Sequence, residues 1–174
     1  MHVAVTAIGV DRPGIVAAVT DVLLRHHCNI EDSRMATLGG HFAMMLIVAT
    51  DADPAALELA LQDPARSFDL IVSARPVPET PPAHAAGEQW VVSVYGADHP
   101  GIVARVTGAL AAEAVNITDL ATHVGEGDPP VYVMVLEVTL PPSLPGEELR
   151  GALDALAGEL AVNISARPMD PETL

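Results

Sequence analysis

Two short segments of the chain carry residue types that could bind a small molecule bearing an anionic group. The motif Asp-x-Pro-Gly-Ile-Val occurs at residues 11–16 and again at residues 98–103. A glycine where a strand passes into a helix is conformationally permissive, so the first helical N–H groups, such as those of Gly14 and Ile15, can point outward. A helix N-terminus of this kind favours an anion. A free amino acid offers a carboxylate to these donors and an ammonium group to the nearby aspartate.

An asparagine follows each motif, at the far end of the helix that the motif should begin. Asn29 and Asn116 would enter the second strand of each half, and their side-chain amides can both donate and accept hydrogen bonds. A ligand at the turn would reach them only if a neighbouring copy brought them in. The candidate ligand-binding residues are Asp11, Arg12, Pro13, Gly14, Ile15, Val16, Asn29 and Ile30, with Asp98, His99, Pro100, Gly101, Ile102, Val103, Asn116 and Ile117.

A purely structural role for the same residues is also open. Asp11 and Asp98 could merely cap their helices, the glycines could serve the turn, and both asparagines could end helices. The repetition of five identical residue types in one local turn favours ligand binding for the motif as a whole. At the variable position of the motif, Arg12 and His99 could steer a carboxylate or face water, and we expect both to be exposed.

Residues that support catalysis or metal binding form no recognisable pattern. The sequence has no Ser-His-Asp order, no phosphate-binding loop of the Walker type and no dinucleotide fingerprint. His26 and His27 are adjacent, so on a helix their side chains diverge by about 100° and cannot share a metal as an i, i+4 pair could. Cys28 is the single cysteine, which excludes an internal disulfide and favours a core thiol. The sequence therefore predicts no enzyme, no cofactor and no metal site.

Composition limits the partners and the compartment. The chain has 174 residues, of which 50% are hydrophobic, enough for packed cores. Its 23 acidic residues face eight arginines and no lysine, and the net charge of -15 repels phosphate backbones. No apolar run approaches the roughly 20 residues that span a bilayer, and no basic leader is present. We expect a cytoplasmic protein without direct nucleic-acid or membrane contact.

An internal repeat organises the chain into two halves. Residues 9–17 match residues 96–104 at seven of nine positions, and the register persists for more than twenty residues. The proline-rich segment between the halves favours an extended spacer. We predict a first domain at residues 1–76, a linker at 77–88 and a second domain at 89–170. Because each domain is small for an independent core, we expect the two to pack on each other or on a second chain, as in a homodimer.

Each half has the pattern β-α-β-β-α-β. Residues 3–8 and 90–95 are predicted as first strands that end at a glycine. Pro13 and Pro100 are expected in the first turn of the following helices, whose apolar residues recur at helical spacing. Gly39-Gly40 indicates a hairpin between the next two strands. The pattern predicts an α+β fold with two tandem ferredoxin-like domains, each an antiparallel sheet with helices on one face.

The motifs also carry a family resemblance. The sequence Gly-x-Asp-Arg-Pro-Gly-Ile-Val, followed by Cys-Asn-Ile-Glu-Asp-Ser-Arg-Met at residues 28–35 and Gly-x-Phe at 40–42, resembles an ACT domain. Asp-His-Pro-Gly-Ile-Val with Asn-Ile-Thr-Asp at residues 116–119 resembles a second one. Two such domains in tandem are similar to the glycine cleavage system transcriptional repressor family.

This resemblance implies a non-enzymatic sensor that modulates transcription or metabolism. ACT domains pair side by side and bind amino acids at the interface, near the first turn and the start of the second strand, and glycine is the first candidate. The resemblance also implies contact with a regulatory protein rather than with DNA. His99 in place of Arg12, Thr118 in place of Glu31 and a longer turn at 125–130 leave open whether both copies bind. The alternative is a scaffolding module whose turns bind nothing.

Overall fold

The computed structural model describes residues 1–78, 87–126, 128 and 130–169. The chain divides into two compact units, Met1–Pro82 and Ala83–Leu174. The first unit contains β1 (His2–Val10), α1 (Ile15–Arg25), β2 (Asn29–Leu38), β3 (His41–Ala49), α2 (Pro54–Ala60), α3 (Gln62–Phe68) and β4 (Leu70–Val77). The second contains β5 (Glu88–Ala97), α4 (Ile102–Ala112), β6 (Asn116–Gly125), β7 (Val131–Leu140), α5 (Gly146–Leu160) and β8 (Val162–Pro168).

Only part of the predicted linker, residues 77–88, lies within the described residues. Val77 is the last residue of β4 and Glu88 is the first residue of β5, so strands extend into both ends of the predicted span. Residues 79–86 lie outside the described residues, and the domain boundaries stay a prediction.

Both units have the same sheet topology. The strand orders are β2-β3-β1-β4 and β6-β7-β5-β8, and every pairing is antiparallel. The central strands β1 and β5 are therefore followed by a helix and a hairpin before the closing strand returns beside them. This is the split β-α-β arrangement, and it confirms the predicted ferredoxin-like α+β fold.

The cores lie between each sheet and its helices. Val3, Val5 and Ala7 alternate along β1 and are fully buried, as expected for one covered sheet face. The predicted apolar stripe of α1 meets this face through Ile15, Val19, Val22 and Leu23, whereas Val16 is exposed. In α4 the buried residues are Ile102, Val106 and Leu110.

The second helix of the first unit is interrupted. Leu57 and Leu61 are both fully buried, but the helix divides into α2 and α3 at Leu61. Pro64 explains the break because it has no N–H to donate to the carbonyl of Ala60, one turn earlier. Among the described residues, no helix combines the length and apolar character that a membrane crossing requires.

The first helix of each unit ends in the same hydrogen-bonded turn. The N–H groups of His27 and Cys28 donate to the carbonyls of Leu24 and Leu23, at 3.0 and 2.9 Å, and His27 has a φ of 55°. The equivalent turn after α4 places Ala114 at the same φ of 55°. These are Schellman-type ends. Consequently the asparagines do not terminate helices, as the structural alternative supposed, but begin β2 and β6 two residues later.

Candidate functional site

The repeated motif forms the same backbone turn in both units. Gly14 has φ 99° and ψ -11°, and Gly101 has φ 100° and ψ -11°, and each is the N-cap residue of its helix. Neither helix has a side-chain hydrogen bond at its cap. The proposal that Asp11 and Asp98 cap the helices is therefore wrong, because a glycine occupies the capping position three residues later.

The position of the prolines also differs from the prediction. Pro13 and Pro100 lie immediately before the N-cap glycines, outside the helices, rather than in the first helical turn. The glycine can take the left-handed conformation that begins the helix here, so the helix starts one residue after it. Both prolines and both aspartates of the motif are exposed.

The uncapped helix ends leave backbone donors available. The Gly14 carbonyl accepts from Ala18 N–H at 2.9 Å, and the Gly101 carbonyl accepts from Arg105 N–H at 2.9 Å, which are the first intrahelical bonds. The N–H groups of the first turn have no such partner within a helix. The side chains of Ile15 and Ile102 are buried in the cores, so these two residues could meet a ligand only through their backbone.

Contacts fix the first turn at one end of its sheet. The Asp11 N–H donates to the Gly40 carbonyl at 2.9 Å, which joins the turn to the β2–β3 hairpin. A side-chain carbon added at Gly14 would lie 3.4 Å from the ring of Phe68, at the end of α3. At Gly101 the same carbon would meet nothing within 4 Å. The backbone angle alone therefore explains the second glycine.

One unit does not bring the turn and the asparagine together. Asn29 and His2 are both paired with Ala49, at the opposite end of the sheet from Gly14. The intervening α1 has 11 residues and is about 16 Å long. Asn29 and Asn116 are exposed at the first positions of β2 and β6. That a neighbouring copy completes the site stays a prediction.

Three of the candidate residues do share a surface in the first unit. A groove of about 210 Å³ runs between α1 and β2 and is lined by Val16, Thr20, Ile30, Ser33, Arg34, Met35, Met44 and Leu46. A neighbouring concavity shares Thr20 and Ile30 and is also lined by Asn29. Val16, Asn29 and Ile30 therefore line one side of α1. In the second unit Val103 is exposed and Ile117 is half-buried.

A β-bulge at the start of the edge strand creates this surface. Ile30 pairs with Val48 and Asp32 pairs with Ile47, so Glu31 has no partner residue in the ladder. The second unit has the same bulge at Thr118. An extra residue turns the following side chains over, because side chains alternate in a strand. Ser33 and Met35 consequently face α1 instead of the outer surface.

The sequence interpretation did not identify these bulges. A signal was present: Ile30 and Met35 are five residues apart, an odd spacing that places two residues on opposite faces of a regular strand. Each bulged residue has a polar contact. His2 Nε2 lies 2.7 Å from Glu31 Oε2, and Thr118 Oγ1 donates to the Glu137 carbonyl at 3.1 Å.

The variable position of the motif differs between the units. Arg12 is exposed, and no hydrogen bond or ion pair joins its guanidinium to another described residue. His99 is half-buried, with Nε2 at 2.9 Å from the Leu160 carbonyl and Nδ1 at 3.2 Å from the Pro100 carbonyl. The expectation of an exposed side chain holds for Arg12 and is wrong for His99, because the end of α5 provides an acceptor.

A tyrosine adds a second difference. Tyr132 in β7 is buried, and its hydroxyl donates to Met134 Sδ at 3.7 Å. Burial, together with the negative charge of Asp98 in the turn, raises the pKa of Tyr132 above its usual value. The equivalent residue of the first unit is Phe42, which pairs with Gly9 as Tyr132 pairs with Gly96. At this position of the sheet the second unit thus has a phenol, and the first unit has a phenyl ring.

The remaining candidates show no cation-binding arrangement. Within the described residues, no group of three or more histidine, cysteine, aspartate or glutamate side chains is placed to hold a metal ion. Cys28 is partly buried against the first core. Met44 and Met134 pack in the cores, whereas Met35 and Met45 are exposed.

Comparison with known proteins assigns a segment of each half of the chain to the same family. A family model described as "ACT domain" matches residues 1–75, and a second with the same description matches residues 90–150. The chain is 34% identical over 128 residues to the glycine cleavage system transcriptional repressor of Escherichia coli (strain K12). That alignment covers 70% of the chain and 64% of the relative, so the chain spans less than two thirds of the relative's length.

Two further similarities concern the fold and a short stretch of sequence. A crystal structure of an unknown protein from Galdieria sulphuraria superposes with a TM-score of 0.84 and 29% sequence identity, covering 97% of this chain and 98% of that one. A UPF0237 protein of Methanopyrus kandleri is 52% identical over 44 residues, which are 25% of this chain and 49% of that protein.

Proposed function

Because the chain belongs to the ACT domain family, we propose that it is a regulatory protein that binds a small amino acid and is not an enzyme. Glycine is the first candidate ligand. The observation that carries this proposal is the pair of uncapped helix ends at Gly14 and Gly101, which have the same backbone angles to within a degree.

The geometry of the turn suits a carboxylate. With no side chain at the cap, the first N–H groups of α1 and α4 are free to donate to an anion, and the helix dipole adds a favourable field. Neither helix has an acidic residue in its first turn to compete for these donors. The exposed carboxylates of Asp11 and Asp98 lie three residues before the cap, where they could accept a ligand ammonium group.

Regulation would act through a protein partner. The relative from Escherichia coli is named a transcriptional repressor, which supports a role in controlling gene expression. The net charge of -15 opposes direct contact with DNA, so contact with another regulatory protein accounts for such a role better than DNA binding does. A bound amino acid would influence that contact only by its differential affinity for two states, typically about 1 to 3 kcal/mol.

The proposal is tested by thermal unfolding against a panel of free amino acids that includes glycine. A ligand at 100 times its dissociation constant adds about 2.7 kcal/mol to stability, so a selective rise in melting temperature identifies it. Gly14→Val and Asn29→Ala should diminish the rise. Gly108→Ala is the matched control, because Gly108 lies inside α4 and an added carbon there meets nothing within 4 Å.

A scaffolding role is the alternative, and the exposed edge strand β2 favours it. All ten residues of β2 are exposed, and the side chains of Met35 and Leu38 offer apolar contacts to a partner. A panel in which no amino acid changes the melting temperature would support this alternative and remove the sensor.

A further inference from the structure

We propose that the two turns are functionally unequal. The first turn binds the amino-acid carboxylate with the help of Arg12, whereas the second turn does not bind it, because His99 is hydrogen-bonded to the end of α5. Each chain would then bind one amino acid rather than two. This inference rests on the proposed function and deepens it. It names the residue at the variable position of the motif as the determinant of which turn binds.

The second turn is held by contacts within its own unit. A carbonyl oxygen only accepts hydrogen bonds, so His99 Nε2 donates to the Leu160 carbonyl across 2.9 Å. Leu160 is the last residue of α5, and its side chain is buried in the core, so the acceptor is firmly placed. The other ring nitrogen faces the Pro100 carbonyl of the motif itself. The imidazole is thus held by the end of α5 through the one N–H of its neutral form.

The first turn lacks this restraint. The residue equivalent to Leu160 is Phe68, since each ends the second helical segment and precedes a residue with positive φ, Ala161 or Asp69. Arg12 is exposed and makes no bond to Phe68. The ring of Phe68 instead lies beside Gly14. A carboxylate at the N-terminus of α1 would therefore meet a guanidinium that no described residue engages.

The chemistry of the two side chains supports the same division. A guanidinium is always charged and can donate two parallel hydrogen bonds to one carboxylate. An imidazole that already donates to a helix-end carbonyl cannot offer that fork. The negative charge of Asp98 also contributes to the raised pKa of the buried Tyr132, whereas the first unit has Phe42 in place of that tyrosine. His99 of the second turn is accordingly bound within its own unit, whereas Arg12 of the first turn is not.

The test counts ligands per chain by isothermal titration of the full-length protein. Glycine is the first titrant, followed by whichever amino acid raises the melting temperature most in the panel. We expect one equivalent per chain. Arg12→Gln should weaken binding tenfold or more, whereas Gly108→Ala, inside α4, should leave both affinity and stoichiometry unchanged. Arg12 is exposed, so its replacement should leave the fold intact, which circular dichroism checks.

Exchanging the residues at the variable position of the two motifs should change the number of amino acids bound per chain, which a purely structural role of these residues would not do. His99→Arg makes the second motif Asp-Arg-Pro-Gly, like the first, and should add a second equivalent. Arg12→His should abolish the first. Two equal equivalents in the unmodified protein, or binding that is lost in His99→Gln but kept in Arg12→Gln, would overturn the inference while leaving the sensor in place. No binding of any amino acid would remove the proposed function itself.

Discussion

Glu58 and Arg150 occupy equivalent positions in the two units and close the same sheet edge with opposite charge. The Glu58 carboxylate accepts a hydrogen bond from the Ala74 N–H of β4 at 2.9 Å. Arg150 Nε donates to the Ala166 carbonyl of β8 at 3.0 Å. Both strands are at the edge of their sheets, where free backbone groups invite pairing with other chains. One edge of each sheet is therefore closed by a helix side chain.

Removing the first of these contacts should destabilise the first unit. Glu58→Ala leaves the nearly buried Ala74 N–H without an acceptor and should cost about 1 to 2 kcal/mol, while Glu58→Gln keeps an acceptor and should cost less. Urea unfolding followed by circular dichroism should report the loss. Equal losses for both variants would contradict the hydrogen-bond explanation.

The glycines of the motif should resist substitution because of their backbone angles. At a φ near 100°, alanine at position 14 or 101 should lower the free energy of unfolding by about 1 to 2 kcal/mol. Gly108→Ala in α4 should instead raise it by about 0.5 to 1 kcal/mol, because its helical conformation favours alanine. Chemical denaturation of the three variants checks the sign. A neutral effect at both motif glycines would show that the turn can relax.

Gly146 at the start of α5 should be irreplaceable for a different reason. A side-chain carbon there would overlap the ring of Trp90, which is almost wholly buried. Gly146→Ala should therefore cost about 1 to 3 kcal/mol and shift the tryptophan emission, since the ring must move. Gly151→Ala, on the same helix with open space around it, is the control and should be stabilising. If both variants behave alike, steric conflict is not the cause.

The buried tyrosine predicts a loss of stability at high pH. Because the pKa of Tyr132 is raised in the folded state, the unfolded chain releases the phenolic proton first as pH increases through about 10, and unfolding becomes easier above that value. Urea titrations between pH 8 and 11 should show this decline, and Tyr132→Phe should reduce it. An unchanged pH profile in Tyr132→Phe would assign the decline to other groups.

Hydrophobic spacing and the repeat were sufficient to predict the fold. Alternation such as Val3, Val5 and Ala7, and the Gly39-Gly40 hairpin, are local signals that each element satisfies in its own segment. Agreement between the two halves then excluded most other topologies. The prediction that Pro13 lies in the first turn of α1 was wrong. The preference of proline for a first helical turn does not take into account that the following glycine, Gly14, can adopt a left-handed conformation and become the N-cap.

The site was less accessible to sequence reasoning because its decisive contacts are distant in the chain. His99 and Leu160 are 61 residues apart, and no local pattern indicates that the end of α5 would present its carbonyl to the second turn. The relation of Tyr132 to Asp98 is of the same kind, since it depends on sheet register. The motif residues could be recognised, but which of them remain free for a ligand depends on tertiary packing.

The bulges at Glu31 and Thr118 also determine where chain length can vary. Since neither residue opposes a partner in its ladder, deleting Glu31 would leave Ile30, Asp32 and Ser33 in regular alternation, with every later side chain of β2 on its present face. A deletion at Arg34 would turn the rest of the strand over. In each of these edge strands, the bulge is thus a position at which one residue can be deleted while every other side chain of the strand stays on its present face of the sheet.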